Sequence, residues 1–374
     1  MRATVLLALL LGCASSEATK PGDAPPPAPS TPPAATELTD GMQLTASGER
    51  YARTGFTYTP GVSKAFADPP AFVEGWSVHF DHVLVVLDGV WIQSEAVVPV
   101  GRGADSYVVT ARVVDLVRGG SVVGKSGDPD DRVVAIASVP ESRLPKNDGG
   151  RYGLAFDVGP AAKDAHHEQV NLDATASALY AKAVERGWSM VYAGTAEYQG
   201  PPPEAGSVFA KIPKRVQFTL GLATPVRFAN CRNSDLPLEG DERPRGIEHA
   251  PGTVTTAQLT FHLDHLFSSR AGYDGAALLF DAIAANARDD GTVTIDDLEN
   301  VDPAAVTTRS GEPLPMRSAV SDFPVPAGKQ VAYETNGASL GHPKSLASYL
   351  RLAAATSGHL NAFGACDVVL NGVP

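Results

Sequence analysis

The chain holds 374 residues, 43% of them apolar and 19% charged, which suffices for one large domain or two ordinary ones and excludes wholesale disorder. A formal net charge of -12 argues against a nucleic-acid binder that needs a broad basic face. The 36 Gly and 30 Pro point to many turns and at least one unstructured tract, and the three Cys cannot all pair within one chain.

Arg2 precedes an apolar run from Val5 to Leu11, then Gly12 and Cys13. Such a run is too short to span a bilayer and reads as a secretory signal. The ending Leu10-Leu11-Gly12-Cys13 resembles the lipobox of bacterial lipoproteins, a family in which the Cys is lipidated and becomes the first mature residue. The resemblance implies a signal peptide over residues 1–12 and a lipid on Cys13. With Ala14 rather than Asp next, it implies a cell-envelope protein held at the outer membrane. The membrane, reached through that lipid, is thus the expected partner, and no nucleic acid is expected. If Cys13 carries lipid, Cys231 and Cys366 remain in an oxidising compartment and most simply form one disulfide, with a thiolate metal ligand as the competing assignment.

Seven prolines between Pro21 and Pro33 favour extended polyproline geometry, so residues 13–45 read as a tether. A single large domain is expected over residues 46–374. Short apolar runs at 76–87, 90–98, 107–117, 132–139 and 152–158, with further candidates at 189–196, 214–222 and 254–263, predict strands, with Trp76, Val78, Phe80, His82 and Leu84 on one face of the first. Helices are predicted over 174–186 (capped by Asp173 or Asn171 and stopped by Gly187), over 274–287, and over 343–355 with Pro343 in the first turn. The polar stretch 233–252 reads as a long loop or a subdomain seam. The expected fold is mainly β, an antiparallel β-sandwich or barrel-like core with a few inserted helices and α+β as the alternative. A parallel Rossmann-type sheet is disfavoured because no βαβ cadence is present.

The densest polar cluster is Thr260-Phe-His262-Leu-Asp264-His265. On a regular strand His262 and Asp264 share a face while His265 falls on the apolar one, so a site using both histidines needs a break at Asp264. Imidazole supplies metal-binding nitrogen, and a carboxylate orients or ligates. His359, seven residues before Cys366, is the histidine best placed to join. A buried histidine pair satisfied by backbone is the competing assignment. His79 and Asp81 share a strand face, His166 and His167 read as an exposed polar turn, and His249 and His342 lie in loops.

A second candidate is the segment 286–297, which has an EF-hand cadence with Asn286, Asp290, Thr292 and Asp297 as ligands. Arg288 at a ligand position and the Asn and Asp replacements disfavour calcium, and a glycine turn followed by a Thr294-x-x-Asp297 capping box is the plainer reading. No Gly-x-Ser-x-Gly elbow, His-Glu-x-x-His helix or phosphate-cradling loop is present, so nothing supports an enzyme.

The segments Tyr192-Ala-Gly-Thr-Ala196, Phe218-Thr-Leu-Gly-Leu222, Asn230-Cys-Arg-Asn233, His262-Leu-Asp-His265 and Gly358-His-Leu-Asn361 resemble a group of uncharacterised secreted lipoproteins of bacteria. Phe218-Thr-Leu-Gly221, with a His-Leu segment ahead of a C-terminal Cys, is similar to the periplasmic copper-binding proteins that accompany methanobactin uptake, although the His-to-Cys spacing differs. The resemblance implies copper among metals, while imidazole-rich sites suit copper or zinc. The leading expectation is a non-enzymatic, membrane-tethered lipoprotein that binds copper or zinc through His262, Asp264, His265 and His359. The alternative is a non-catalytic structural or interaction module of the cell envelope, and a surface hydrolase without a readable motif is a third.

Overall fold

The computed structural model describes residues 38–60, 70–98, 105–148, 150–163, 166–268, 278–302 and 343–370. The signal segment, Cys13, most of the proline tract and His342 lie outside the described residues. No described helix is long and apolar enough to cross a membrane.

Two sheets dominate. The smaller has five strands in the order β14 (Gly364–Ala365), β13 (Gly358–Leu360), β11 (Val254–Phe261), β1 (Gly41–Ser47) and β5 (Val134–Val139). The larger, of ten strands, runs β12 (Thr292–Thr294), β9 (Arg215–Leu222), β8 (Met190–Tyr198), β2 (Trp76–Gln93), β6 (Gly153–Val158), β10 (Val226–Ala229) and β15 (Asp367–Leu370). In that sheet β3 (Ser106–Val109) and β4 (Arg112–Asp115) also pair with β2, and β7 (Glu168–Gln169) pairs with β4. The fold is mainly β and sandwich-like. Neither sheet closes, so the barrel-like form of the expectation is not adopted.

Pairing is mostly antiparallel, yet β1–β11, β4–β7 and β9–β12 are parallel. The β1–β11 pair matters most. β1 lies where the sequence reads as tether, and the fold therefore begins before residue 46. Met42, Leu44 and Ala46 are fully buried, and so is Ser47, as befits a strand flanked on both edges and covered on both faces.

The strands expected at 76–87 and 90–98 form one long strand, β2, whose register slips at Asp81 and again near Asp88. The first slip is a bulge that sets Phe80 opposite Gly194 and His82 opposite Ala193. Because neighbouring residues of β8 point to opposite faces, His82 and Leu84 leave the face of Trp76, Val78 and Phe80, correcting the simple alternation. An aromatic cluster of Phe56, Phe72, Phe80, Phe218, Phe267 and Phe280 fills the core in mostly edge-to-face contacts.

The main helix, α2 (Ala174–Arg186), after α1 (Tyr51–Thr54), starts at Asp173, whose carboxylate accepts from the Ala176 amide. It stops at Gly187 in the left-handed region. Of the expected 274–287 helix, only α3 (Asp281–Ala284) is seen among the described residues. The C-terminal helix α4 (Leu346–Ala354) starts later than Pro343 suggests, because Ser345 caps it by accepting from the Ser348 amide.

Cys231, just after β10, bonds to Cys366, just before β15, across a sequence separation of 135. This bond and the β10–β15 pairing anchor the C-terminal segment to the large sheet, while β13 and β14 anchor it to the small one. Replacing both cysteines by serine is expected to cost about 2–5 kcal/mol, the upper end reflecting the long closed loop, read as a lower urea midpoint.

Candidate metal centre

β11 ends at Phe261, and the chain turns at once. His262 is still extended, and Leu263–Phe267 follow as a 3-10 turn held by the His265 amide on the His262 carbonyl and the Ser268 amide on the His265 carbonyl. The break needed at Asp264 thus occurs two residues earlier and brings both histidines to one place. Gly48 lets the chain leaving β1 pass close by, since a Cβ there would meet Leu263 at 3.2 Å and Ala52 at 2.9 Å.

Ligand atoms of His262, Asp264 and His265 lie within 4.8 Å of one another, and all three residues are buried. His359 is set opposite Thr260 by the β11–β13 register. Its ring stacks on His262 at 4.1 Å between centroids and stands 5.5 Å from that of His265. His262, Asp264 and His265 therefore form the tight group, with His359 as an adjoining wall. Exposed Phe363 meets the His262 ring edge-on at 5.9 Å.

Each imidazole is anchored through at least one nitrogen. Nε2 of His262 lies 2.8 Å from the Ala362 carbonyl, which only accepts, so this nitrogen carries the proton and Nδ1 the lone pair of the neutral ring. Nδ1 of His265 lies 3.0 Å from Thr356 Oγ1, a hydroxyl that already donates to the Ala353 carbonyl. His265 therefore donates there from Nδ1, and Nε2 is its acceptor atom. Nδ1 of His359 likewise faces the Ser357 carbonyl at 3.2 Å. Rings whose second nitrogen is fixed by a backbone or hydroxyl acceptor are the usual condition of metal-ligating histidine. The Asn361-Ala362 turn that offers its carbonyl to His262 has positive φ at both residues, 51° and 73°. Backbone strain of this kind persists where surrounding contacts over-determine it.

One acidic residue of the site carries no spacing signal. Glu49 follows β1 with φ 54°, is 8% exposed, and places Oε1 3.8 Å from His262 Nε2. Burial pushes its carboxyl above the ordinary value, an effect that the nearby histidines oppose and that Asp264 and Asp131 reinforce. Tyr51 beside it is also raised, first by burial. The parallel register could have found Glu49. With Ser47 opposite Thr260, Glu49 and His262 each stand two residues further along their strands.

Elsewhere the bulge in β2 delivers His82 to Asp115, with Nδ1 and Oδ2 2.7 Å apart. Burial raises the Asp115 carboxyl despite His82 and the amides of Val83 and Val117. His166 is exposed as expected, but His167 is buried and hydrogen-bonded to the Tyr180 hydroxyl, so the pair is not a wholly solvated turn. His249 meets the Thr255 hydroxyl. In the 286–297 segment, Asp297 accepts from the amide and hydroxyl of Thr294 in a capping box, and its other oxygen accepts from Arg288. Asp290 is engaged by Thr292, and the Asn286 side-chain amide donates to the Ala282 carbonyl. These contacts commit both Asp297 oxygens and one Asp290 oxygen to the turn itself.

Glu49 has a pH signature in the metal-free protein. With its folded pKa above the ordinary 4.5, the native state keeps a proton that the unfolded chain has lost. Stability therefore falls as pH rises from 4.5 through the raised value. Glu49→Gln is expected to flatten that fall and to raise the urea midpoint at neutral pH but not below 4.5.

No protein-family model, curated protein sequence or solved structure matches the chain, and the reading of the centre rests on its own geometry.

Proposed function

We propose that the protein is a lipid-tethered lipoprotein of the bacterial cell envelope, held at the outer membrane through Cys13, that binds a transition metal, copper or zinc. His262, Asp264 and His265 are the ligands, and His359 lines the site beside them. The observation that carries the reading is the convergence of two anchored imidazoles and a carboxylate within 4.8 Å in a buried setting. Nitrogen and oxygen donors of this mix suit divalent zinc or copper. The role is binding rather than catalysis.

A structural or interaction module is the competing reading, and the face-to-face stacking of His359 on His262 is what favours it. The full chain, stripped with a chelator and dialysed against zinc or copper, is expected to retain about one equivalent. Zinc at roughly 100 times its dissociation constant is expected to stabilise the fold by about 2.7 kcal/mol. That gain disappears in His262→Ala and His265→Ala. Retention well below one equivalent, or a gain unchanged in both variants, leaves the structural module. The anchor has its own check: Cys13→Ser is expected to move the protein from the detergent phase to the aqueous phase of a phase-partition assay.

A further inference from the structure

Three buried carboxylates, Glu49, Asp131 and Asp264, lie in or beside the proposed centre, and they are not equivalent. Asp131 is fully buried, yet its oxygens accept from the Ser47 hydroxyl and from the amide and hydroxyl of Ser126. Its charge is met by donors. Glu49 and Asp264 differ: among the described residues, no hydrogen bond reaches either carboxylate, although the two residues are only 8% and 7% exposed. Buried carboxylates are ordinarily paired, hydrogen-bonded or bound to metal. The basic group that pairs with Glu49 is His262, whose Nε2 lies 3.8 Å from Oε1 and already faces the Ala362 carbonyl.

We infer that Glu49 supplies the second negative charge of this centre and makes it selective for a divalent over a monovalent cation. The inference rests on the metal-binding reading of the same site. With neutral imidazoles, Asp264 and Glu49 contribute two negative charges, which a doubly charged ion such as Zn(II) or Cu(II) balances. Cu(I) leaves one buried charge uncompensated and prefers softer sulfur donors, which the centre lacks among the described residues. Glu49 acts from the Nε2 edge of His262 at 3.8 Å, through its charge and not through a hydrogen bond, since the Ala362 carbonyl already holds that nitrogen. Its left-handed backbone and the Ser47 hydroxyl, which accepts the Glu49 amide, hold it there. Copper enters this site as Cu(II), which narrows the choice of metal that imidazole content alone leaves open.

The test uses the chelator-stripped full chain and two probes, Zn(II) and Cu(I) kept reduced under anaerobic conditions. Glu49→Gln is expected to weaken Zn(II) at least about 10-fold while changing Cu(I) less than about 3-fold, and Glu49→Asp, which keeps the charge, to recover most of the loss. Equal losses for both ions, or no loss of Zn(II) affinity, would overturn the inference. Urea denaturation of the metal-free variants separates lost binding from lost folding. An independent reading needs no variant: equimolar Cu(I) is expected to leave bound Zn(II) in place, and displacement contradicts the assignment. Failure of the unmodified chain to bind any metal removes both the inference and the metal reading. Binding that is indifferent to Glu49 removes the inference alone.

Discussion

Seven residues of β1 run beside seven of β11 in the same direction, from Gly41 opposite Val254 to Ser47 opposite Thr260, and the centre depends on that pairing. Parallel strands finish at the same edge, so whatever follows each C-terminus meets its counterpart. After β1 come Gly48 and Glu49; after β11 come His262, Asp264 and His265. The antiparallel neighbours complete the corner. β13 sets His359 opposite Thr260, and the segment leading into β5 brings Asp131 to Ser47. A one-residue slip of β1 would turn its side chains over and carry Glu49 away from His262.

Much of the scaffold was legible because its signals are local. The runs that became β6, β8 and β9 are short and largely apolar, and α2 has a capping Asp173 and a terminating Gly187. What escaped is mostly non-local. β1 follows the proline-rich stretch closely, and despite the Asp40-Gly41 turn signal at its start its strand character is decided by two neighbours about 90 and 210 residues away. β10 is only four residues long and follows Pro225. The bulge at Asp81 has no sequence mark, so simple alternation along the strand puts His82 on the wrong face.

The same division runs through the candidate site. His262, Asp264 and His265 stand together in the sequence, and one strand end suffices to gather them. His359 was legible as a partner through its nearness to Cys366, and the disulfide with its flanking strands holds it in place. Glu49 was not legible: its place follows from register alone, and its chemical interest from hydrogen bonds it does not receive.

X-ray absorption at the zinc edge of the loaded full chain tests the central claim most directly. The account predicts nitrogen and oxygen neighbours at about 2.0–2.2 Å, with the outer scattering of at least two imidazoles and no sulfur. A spectrum of sulfur ligation, or one of a solvated ion without imidazole scattering, would contradict it.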